Sequence, residues 1–374
     1  MDIPESALQR EERAIFELQA LYEQYGYKKY KMSKFEEYEL YLENKSFLPS
    51  QQIITFTEPS GRLMALKPDV TLSIAKNVPT KSKESVKVYY NENVYRTARG
   101  SDEFREIVQV GLEYLGYLDL YGQSEVVLLA YRSLQLLSES FAMAISDMGF
   151  ISGLLESCRL PHRLEERILS CIGHKNAHEI IRLCSEAGIE DDRRDTLAAL
   201  TRLCGTFGET IAEAEKLVRN EEMAQSLLRL RELKVILAPE TDQERLQLDF
   251  SVINDLSYYN GIIFQGFIDG LPNAIISGGR YDNLMEKLGK SANAMGFAVY
   301  IDQLSHAGVE DRGFDVDILL LYDEGADAAK LSRAVNNLTL SGRSVLARSQ
   351  MPKRLRYREL MKFENGVRSY ERDD

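Results

Sequence analysis

The chain is poor in cysteine, carries no excess of positive charge and has no long apolar run. Its 374 residues include four cysteines, Cys158, Cys171, Cys184 and Cys204, with no C-x-x-C pair among them. That usage suits a reducing compartment. No apolar stretch reaches transmembrane length, and Met1-Asp2-Ile3-Pro4 does not open a basic-then-apolar signal, so a cytoplasmic protein with no membrane partner is expected. The formal net charge of −12 argues against a protein that wraps nucleic acid, since neutralising phosphates takes clustered Lys and Arg. No G-x-G-x-x-G is present. Gly289-Lys290-Ser291 ends like a phosphate-binding Walker loop, but Leu284 occupies the glycine position that such a loop needs upstream. No serine or cysteine nucleophile has a recognisable local signature, so no catalytic residue is assigned. Cys171, His174 and His178 offer three possible zinc ligands on one helical face, with Cys184 farther on. Lys175 stands where a zinc hydrolase motif carries its glutamate, and neither a metal nor a cofactor is expected. Repeats and low-complexity tracts are absent.

What is present is ordinary for a soluble protein, 44% hydrophobic and 28% charged, and long enough for two or three domains. Apolar positions at helical spacing predict a helix over 5–25, stopped by Gly26. A strand over 27–35 follows, then a hairpin of 53–57 and 63–66 around Pro59-Ser60-Gly61. A helix is predicted over 70–76; Asp69, just before it, is either its cap or a ligand-binding carboxylate. A long amphipathic helix is expected over 121–148. From 151 to about 239 only helices are predicted: 165–171, 177–187, 193–204 and 210–237. Strands return at 246–253, 261–268, 273–277 and 294–299. The adjacent tyrosines Tyr258 and Tyr259 approach a strand, one for each face, either as core packing or with one phenol at a small polar ligand. A strand over 314–322, a helix over 326–340 and a strand over 344–347 make a small α/β unit. The stretch from Arg343 to Arg372, with nine Lys or Arg against three Glu, reads as a solvated helix face or a nucleic-acid remnant. The resulting divisions are 1–150, a helical insertion at 151–240, a return at 241–310, and a small unit at 311–374.

The most informative stretch is Val88–Gly116. Two alternating runs flank a polar loop from Thr97 to Arg105, which predicts a long antiparallel pair. Arg96 closes the first strand and Arg105 opens the second, each a planar fork suited to phosphate or carboxylate. Gln109, Gly111 and Glu113 lie two apart, so they share one face. An amide, a gap and a carboxylate on one sheet face point to a ligand.

This strand, Arg-containing loop and strand resembles the second signature motif of class II aminoacyl-tRNA synthetases, and its Q-V-G-L-E end resembles the histidyl branch. Further motifs follow in order over about residues 5–305. Lys67-Pro68-Asp69-Val70-Thr71 resembles the family's R-P-[ED]-x-T, Asn254-Asp255-Leu256-Ser257-Tyr258-Tyr259 its R-G-L-D-Y-Y, and Ser277-Gly278-Gly279-Arg280-Tyr281-Asp282 its A-G-G-R-Y-D. Gly296 to Gln303 resembles G-F-A-x-G-x-E-R. The resemblance implies an α+β fold: a class II synthetase-like antiparallel sheet flanked by helices, with a helical insertion and a truncated α/β unit at the C-terminus. It also implies a histidine site of Asp69, Thr71, Arg105, Gln109, Glu113, Tyr258 and Tyr259, in which a buried carboxylate would face an imidazole.

The departures concern the nucleotide. The family's histidine-specific arginine is replaced by Asn254, its third-motif arginine by Gln303, and a glycine beside the nucleotide by Tyr300. Ser257 stands for an aspartate and Ser33 for the proline of the dimer strand. Arg96 survives, but phosphoryl chemistry rests on several cationic groups. The set Arg96, Asn254, Tyr300 and Gln303 is therefore expected to be a degenerate nucleotide site. A histidyl-synthetase fold with its nucleotide site eroded and its amino-acid half kept resembles the regulatory subunits of ATP phosphoribosyltransferase. That resemblance implies a non-catalytic, histidine-responsive protein of histidine biosynthesis, self-associating as a dimer in a hetero-oligomer with a short-form catalytic subunit, and not binding tRNA. The rival expectations are a divergent histidyl-tRNA synthetase and a stand-alone histidine-binding regulator.

Overall fold

The computed structural model describes residues 9–43, 53–80, 84–97, 103–253, 258–306, 314–364 and 367–370. The chain divides into two compact units, Glu11–Ala307 and one built on Gly308–Asp374. In the first, helix α1 (Arg10–Gln24) buries Ala14, Leu18 and Tyr22, a stripe with a period of four. Gly26, at φ +81°, turns the chain out of it. A two-residue strand β1 (Lys28–Lys29) follows, then β2 (Phe35–Glu37), α2 (Tyr38–Glu43), β3 (Thr55–Thr57) and β4 (Leu63–Leu66). The last three strands form a small antiparallel sheet in the order β2-β4-β3. Helix α3 (Thr71–Asn77) leads to the two 13-residue strands β5 (Ser85–Thr97) and β6 (Phe104–Gly116). These pair antiparallel along their whole length, from Ser85 opposite Gly116 to Thr97 opposite Phe104.

Then come α4 (Leu120–Leu137), β7 (Phe141–Asp147), α5 (Met148–Cys158), α6 (His162–Gly173), α7 (Ala177–Glu186), α8 (Asp191–Leu200), β8 (Cys204–Thr206), α9 (Phe207–Glu215) and α10 (Glu221–Leu237). The unit closes with β9 (Leu246–Asp249), β10 (Ile262–Ile268), β11 (Ile276–Arg280), α11 (Asp282–Lys287), β12 (Asn293–Tyr300) and a 3-10 turn over Ile301–His306. Nine strands make one sheet, ordered β1-β5-β6-β12-β11-β10-β7-β9-β8. This is the expected α+β architecture of a largely antiparallel sheet flanked by helices.

The second unit holds β13 (Val316–Tyr322), α12 (Ala328–Leu340), β14 (Val345–Arg348), β15 (Tyr357–Phe363) and β16 (Val367–Tyr370), its sheet ordered β14-β13-β15-β16. Its core is Ile318, Leu320, Met361 and Phe363, backed by apolar residues of α12 such as Leu331 and Leu338. No helix among the described residues is long and apolar enough to cross a membrane.

Five readings of the sequence are corrected. The helix expected over 121–148 is a helix and a strand: Ser138 is extended (φ −161°, ψ 146°), and β7 then enters the sheet between β10 and β9. The exposed and half-buried positions of β7 are Ala142 and Ala144, apolar helix formers that hide the strand's alternation in the sequence. The helix expected over 210–237 is α9 and α10, the second opened by Asn220, whose side chain caps the Met223 amide at 3.0 Å. Cys171 and His178 do not share a helical face, because α6 ends at Gly173 and α7 starts at Ala177. The basic C-terminal stretch contains strands β14, β15 and β16, not a helix. Tyr258 and Tyr259 do not part to opposite faces; their rings lie together, 4.5 Å apart between centroids.

Candidate ligand site on the sheet face

Register brings small residues together at the centre of the sheet. Glu113 pairs with Val88 on one side and Gly296 on the other; Gly111 pairs with Tyr90 and Ala298, and Gln109 with Glu92 and Tyr300. Gly296 in turn pairs with Gly279, and Ala298 with Ser277. Directly opposed residues point to the same face, so Gly111, Gly279, Gly296, Ser277 and Ala298 form a floor with almost no side chains. Larger groups fold over it. A Cβ at position 296 would stand 1.8 Å from Glu113 Oε2, one at 111 would stand 2.4 Å from the Tyr90 hydroxyl, and one at 279 would stand 2.9 Å from the Tyr259 ring.

Glu113 is the centre of the arrangement. It is 1% exposed, and both carboxylate oxygens are held: Thr71 Oγ1 donates to Oε1 at 2.7 Å and the Tyr281 hydroxyl to Oε2 at 2.5 Å. Burial is the largest influence on its pKa and pushes it up from 4.5 to about 8; the Tyr281 and Thr71 hydrogen bonds oppose that, and the charge of Asp69 adds to it. Asp69 is half-buried and accepts the Leu72 amide at 2.7 Å, so it does cap α3. Burial raises its pKa too, against the Leu72 amide and the charges of Arg96 and Lys67. Four tyrosines complete the ring. Tyr258 lies against Tyr259 with the ring planes tilted by 52°, and 5.7 Å from Tyr281 between centroids; Thr71 bears on its phenol. Burial, reinforced by the charge of Glu113, raises the phenols of Tyr90, Tyr258, Tyr259 and Tyr281 well above their ordinary value, so all remain neutral donors.

The other end of the face is occupied by the protein's own groups. Arg96 Nε donates to the Pro68 carbonyl at 2.8 Å. Tyr300 sits opposite Gln109 with its phenol under the influence of Arg96 and Asp69. Gln303 Nε2 donates to the Ala274 carbonyl at 3.3 Å. Lys67, fully buried, pairs with Glu92 at 2.9 Å. Thus both cations flanking Asp69 are already engaged.

Of the residues singled out in the sequence, Asp69, Thr71, Glu113, Tyr258 and Tyr259 meet, and Gln109 is buried beside Tyr300. Arg105 does not join them: it is exposed near the start of β6, four residues and so about 13 Å from Gln109. Asn254 and Ser257 lie outside the described residues. Tyr281, Tyr90 and the Lys67–Glu92 pair were missed. Tyr281 was within reach, since it stands inside the G-G-R-Y-D motif; Tyr90 follows only once Gly111 is placed in register. Among the described residues, no three His, Cys, Asp or Glu side chains are grouped closely enough to hold a metal.

Chemically, the site presents a neutral or anionic carboxyl, a second carboxylate and a ring of phenol donors over a bare floor. That set accepts hydrogen bonds from an ammonium and exchanges a proton with a weak base. Among the described residues, the cations beside Asp69, Arg96 and Lys67, are both engaged by the protein's own groups.

Residues 1–304 match the histidyl-tRNA synthetase family. A protein of Acetivibrio thermocellus named ATP phosphoribosyltransferase regulatory subunit is 30% identical over 308 residues, covering 80% of this chain and 73% of that relative. The fold is similar to a crystal structure described as an ATP phosphoribosyltransferase regulatory subunit/histidyl-tRNA synthetase from Bacillus halodurans, with a TM-score of 0.76 at 23% identity over 91% of this chain and 88% of the other. It is also similar to a chain of the ATP phosphoribosyl transferase (HisG:HisZ) complex from Thermotoga maritima, with a TM-score of 0.61 at 17% identity over 80% and 98%. The chain belongs to the histidyl-tRNA synthetase family, in the group whose members are named ATP phosphoribosyltransferase regulatory subunits.

Proposed function

We propose that this chain is the regulatory subunit of an ATP phosphoribosyltransferase, acting in the cytoplasm in the first step of histidine biosynthesis. It has no chemistry of its own and confers activity and histidine feedback on a short-form catalytic partner, self-associating within the hetero-oligomer. The names of its relatives support the pairing. The observation that carries the reading is an asymmetry along one sheet face. Glu113 is braced on both oxygens at one end, while toward the other Tyr300 stands opposite Gln109 and both Gln303 and Arg96 are bonded to backbone carbonyls.

Histidine fits the braced end. Asp69 and Thr71 would take its ammonium, Gln109 its backbone end, and Glu113 with Tyr258 and Tyr259 its imidazole. A ligand matters to a protein that cannot transform it only by favouring one of two states, and the relevant states are those of an attached enzyme. The test is to mix this chain with a short-form catalytic subunit at micromolar concentration. One co-eluting complex with activity above that of the catalytic subunit alone is expected. Separate elution with unchanged activity would leave a stand-alone histidine-binding regulator as the better reading.

A further inference from the structure

Lys290 belongs to the Walker-like Gly289-Lys290-Ser291 stretch, for which the ligand site has no use. Its ammonium makes three hydrogen bonds, all to carbonyls at the end of α3: to Ala75 at 2.5 Å, Lys76 at 2.8 Å and Val78 at 2.8 Å. The last carbonyls of a helix lack partners within it, and a cation there also answers the helix dipole. The backbone of Lys290 meanwhile closes α11. Gly289, at φ +72°, donates to Glu286 and Lys290 donates to Met285 at 2.9 Å, a Schellman arrangement. One residue therefore ends both helices.

The beginnings of the same two helices hold Glu113. Thr71 is the first residue of α3 and grips Oε1; Tyr281 directly precedes α11 and grips Oε2. The two helices are short, seven and six residues, so their far ends lie only about 10 Å from those hydroxyls. We propose that Lys290 is a positioning residue for the Glu113 site: it ties the far ends of α3 and α11 together and so fixes the spacing of Thr71 and Tyr281 across the carboxylate. A short helix cannot bend to absorb a displaced end, and any shift at Lys290 reaches Glu113 as a rigid tilt. The effect on histidine rests on the reading of the site given above; the effect on Glu113 itself does not.

The test uses the full chain as wild type, Lys290→Met, Lys290→Arg and Lys290→Ala, with two readouts. The first is the titration midpoint of the Glu113 carboxyl carbon by NMR, assigned against Glu113→Gln. The second is the dissociation constant for L-histidine by calorimetry. Lys290→Met is expected to move the midpoint by about one pH unit or more, as water reaches the carboxylate, and to weaken histidine about tenfold. Lys290→Arg keeps the charge and several donors and should restore most of both. For Lys290→Ala, ammonium chloride should recover part of the loss and tetramethylammonium chloride at equal ionic strength should not. A lowered melting temperature with the Glu113 midpoint and histidine affinity unchanged would make Lys290 a stability element only and overturn the proposal. If wild type does not bind histidine, the site reading fails and the Glu113 midpoint alone decides the role of Lys290.

Discussion

Tyr281 and Glu113 are 168 residues apart in the chain, yet the phenol of one donates to the carboxylate of the other at 2.5 Å inside the protein. With Thr71 on the second oxygen, this carboxyl has hydroxyl partners and, among the described residues, no cation bonded to it. Desolvation therefore dominates its behaviour, and its pKa rises to about 8.

The first prediction concerns stability against pH. A carboxyl whose pKa rises from 4.5 to about 8 on folding binds its proton more tightly folded than unfolded. Between those values the folded state holds more protons, so stability falls as pH increases through that window and is level on either side. The full shift corresponds to about 5 kcal/mol, an upper bound that water entry reduces. Glu113→Gln should flatten this slope and exceed wild type in stability at pH 9, as measured by urea denaturation across pH 4–9. Identical slopes in the two proteins would show that Glu113 titrates normally.

A second prediction follows from counting protons on binding. The complex holds one proton between the Glu113 carboxyl, titrating at about 8, and an imidazole whose ordinary pKa is about 6.5. Below 6.5 the free partners hold two protons and one is released; above 8 they hold none and one is taken up. Histidine affinity should be greatest between those values and fall on either side. Calorimetry in buffers of different ionisation enthalpy should give proton release at pH 5.5, uptake at pH 9 and neither near pH 7.3.

Gly296 has no room for a side chain. A Cβ there would meet Glu113 Oε2 at 1.8 Å and the Leu112 carbonyl at 2.4 Å. Gly296→Ala should cost about 1–3 kcal/mol of stability by overpacking and abolish histidine binding. Retained affinity would place the ligand away from Glu113.

Adenylation chemistry should be missing. Gln303 is neutral and bonded to Ala274, and Arg96 is bonded to Pro68. Losing one preorganised donor typically costs a hundred- to thousand-fold in rate. The chain should therefore show no histidine-dependent exchange of pyrophosphate into ATP, and Gln303→Arg alone should not restore it while Tyr300 stays beside Arg96. Exchange well above a buffer control would favour a working synthetase.

The sequence is most legible where local pattern and pairing agree. The alternation in Val88–Gly116 yields β5 and β6, and strand geometry alone puts Gln109, Gly111 and Glu113 on one face. The resemblance supplies Asp69, Thr71 and the tyrosines. What is not legible depends on long-range burial. Strand β7 lies between β10 and β9 and alternates buried Phe141, Met143 and Ile145 with Ala142 and Ala144; alanine is apolar and favours helix, so the alternation does not stand out in the sequence as the end of the preceding helix. Nothing local marks Lys67 as buried until Glu92 is brought to 2.9 Å, and Lys290, in a stretch without the upstream glycine of a phosphate loop, has no role until the end of α3 is placed under it. Arg105 was assigned by analogy of position, and the length of β6 carries it away.

The central claim is that a ligand held at Glu113 controls an enzyme this chain does not itself contain. The most direct measurement is the rate of the reconstituted complex with a short-form catalytic subunit, titrated with L-histidine, using wild type and Glu113→Ala as the regulatory chain. The account predicts equal activation by both, inhibition by histidine with wild type, and a histidine requirement raised tenfold or more with Glu113→Ala, in keeping with the loss of a buried polar contact. Inhibition at the same histidine concentration with both chains would contradict it.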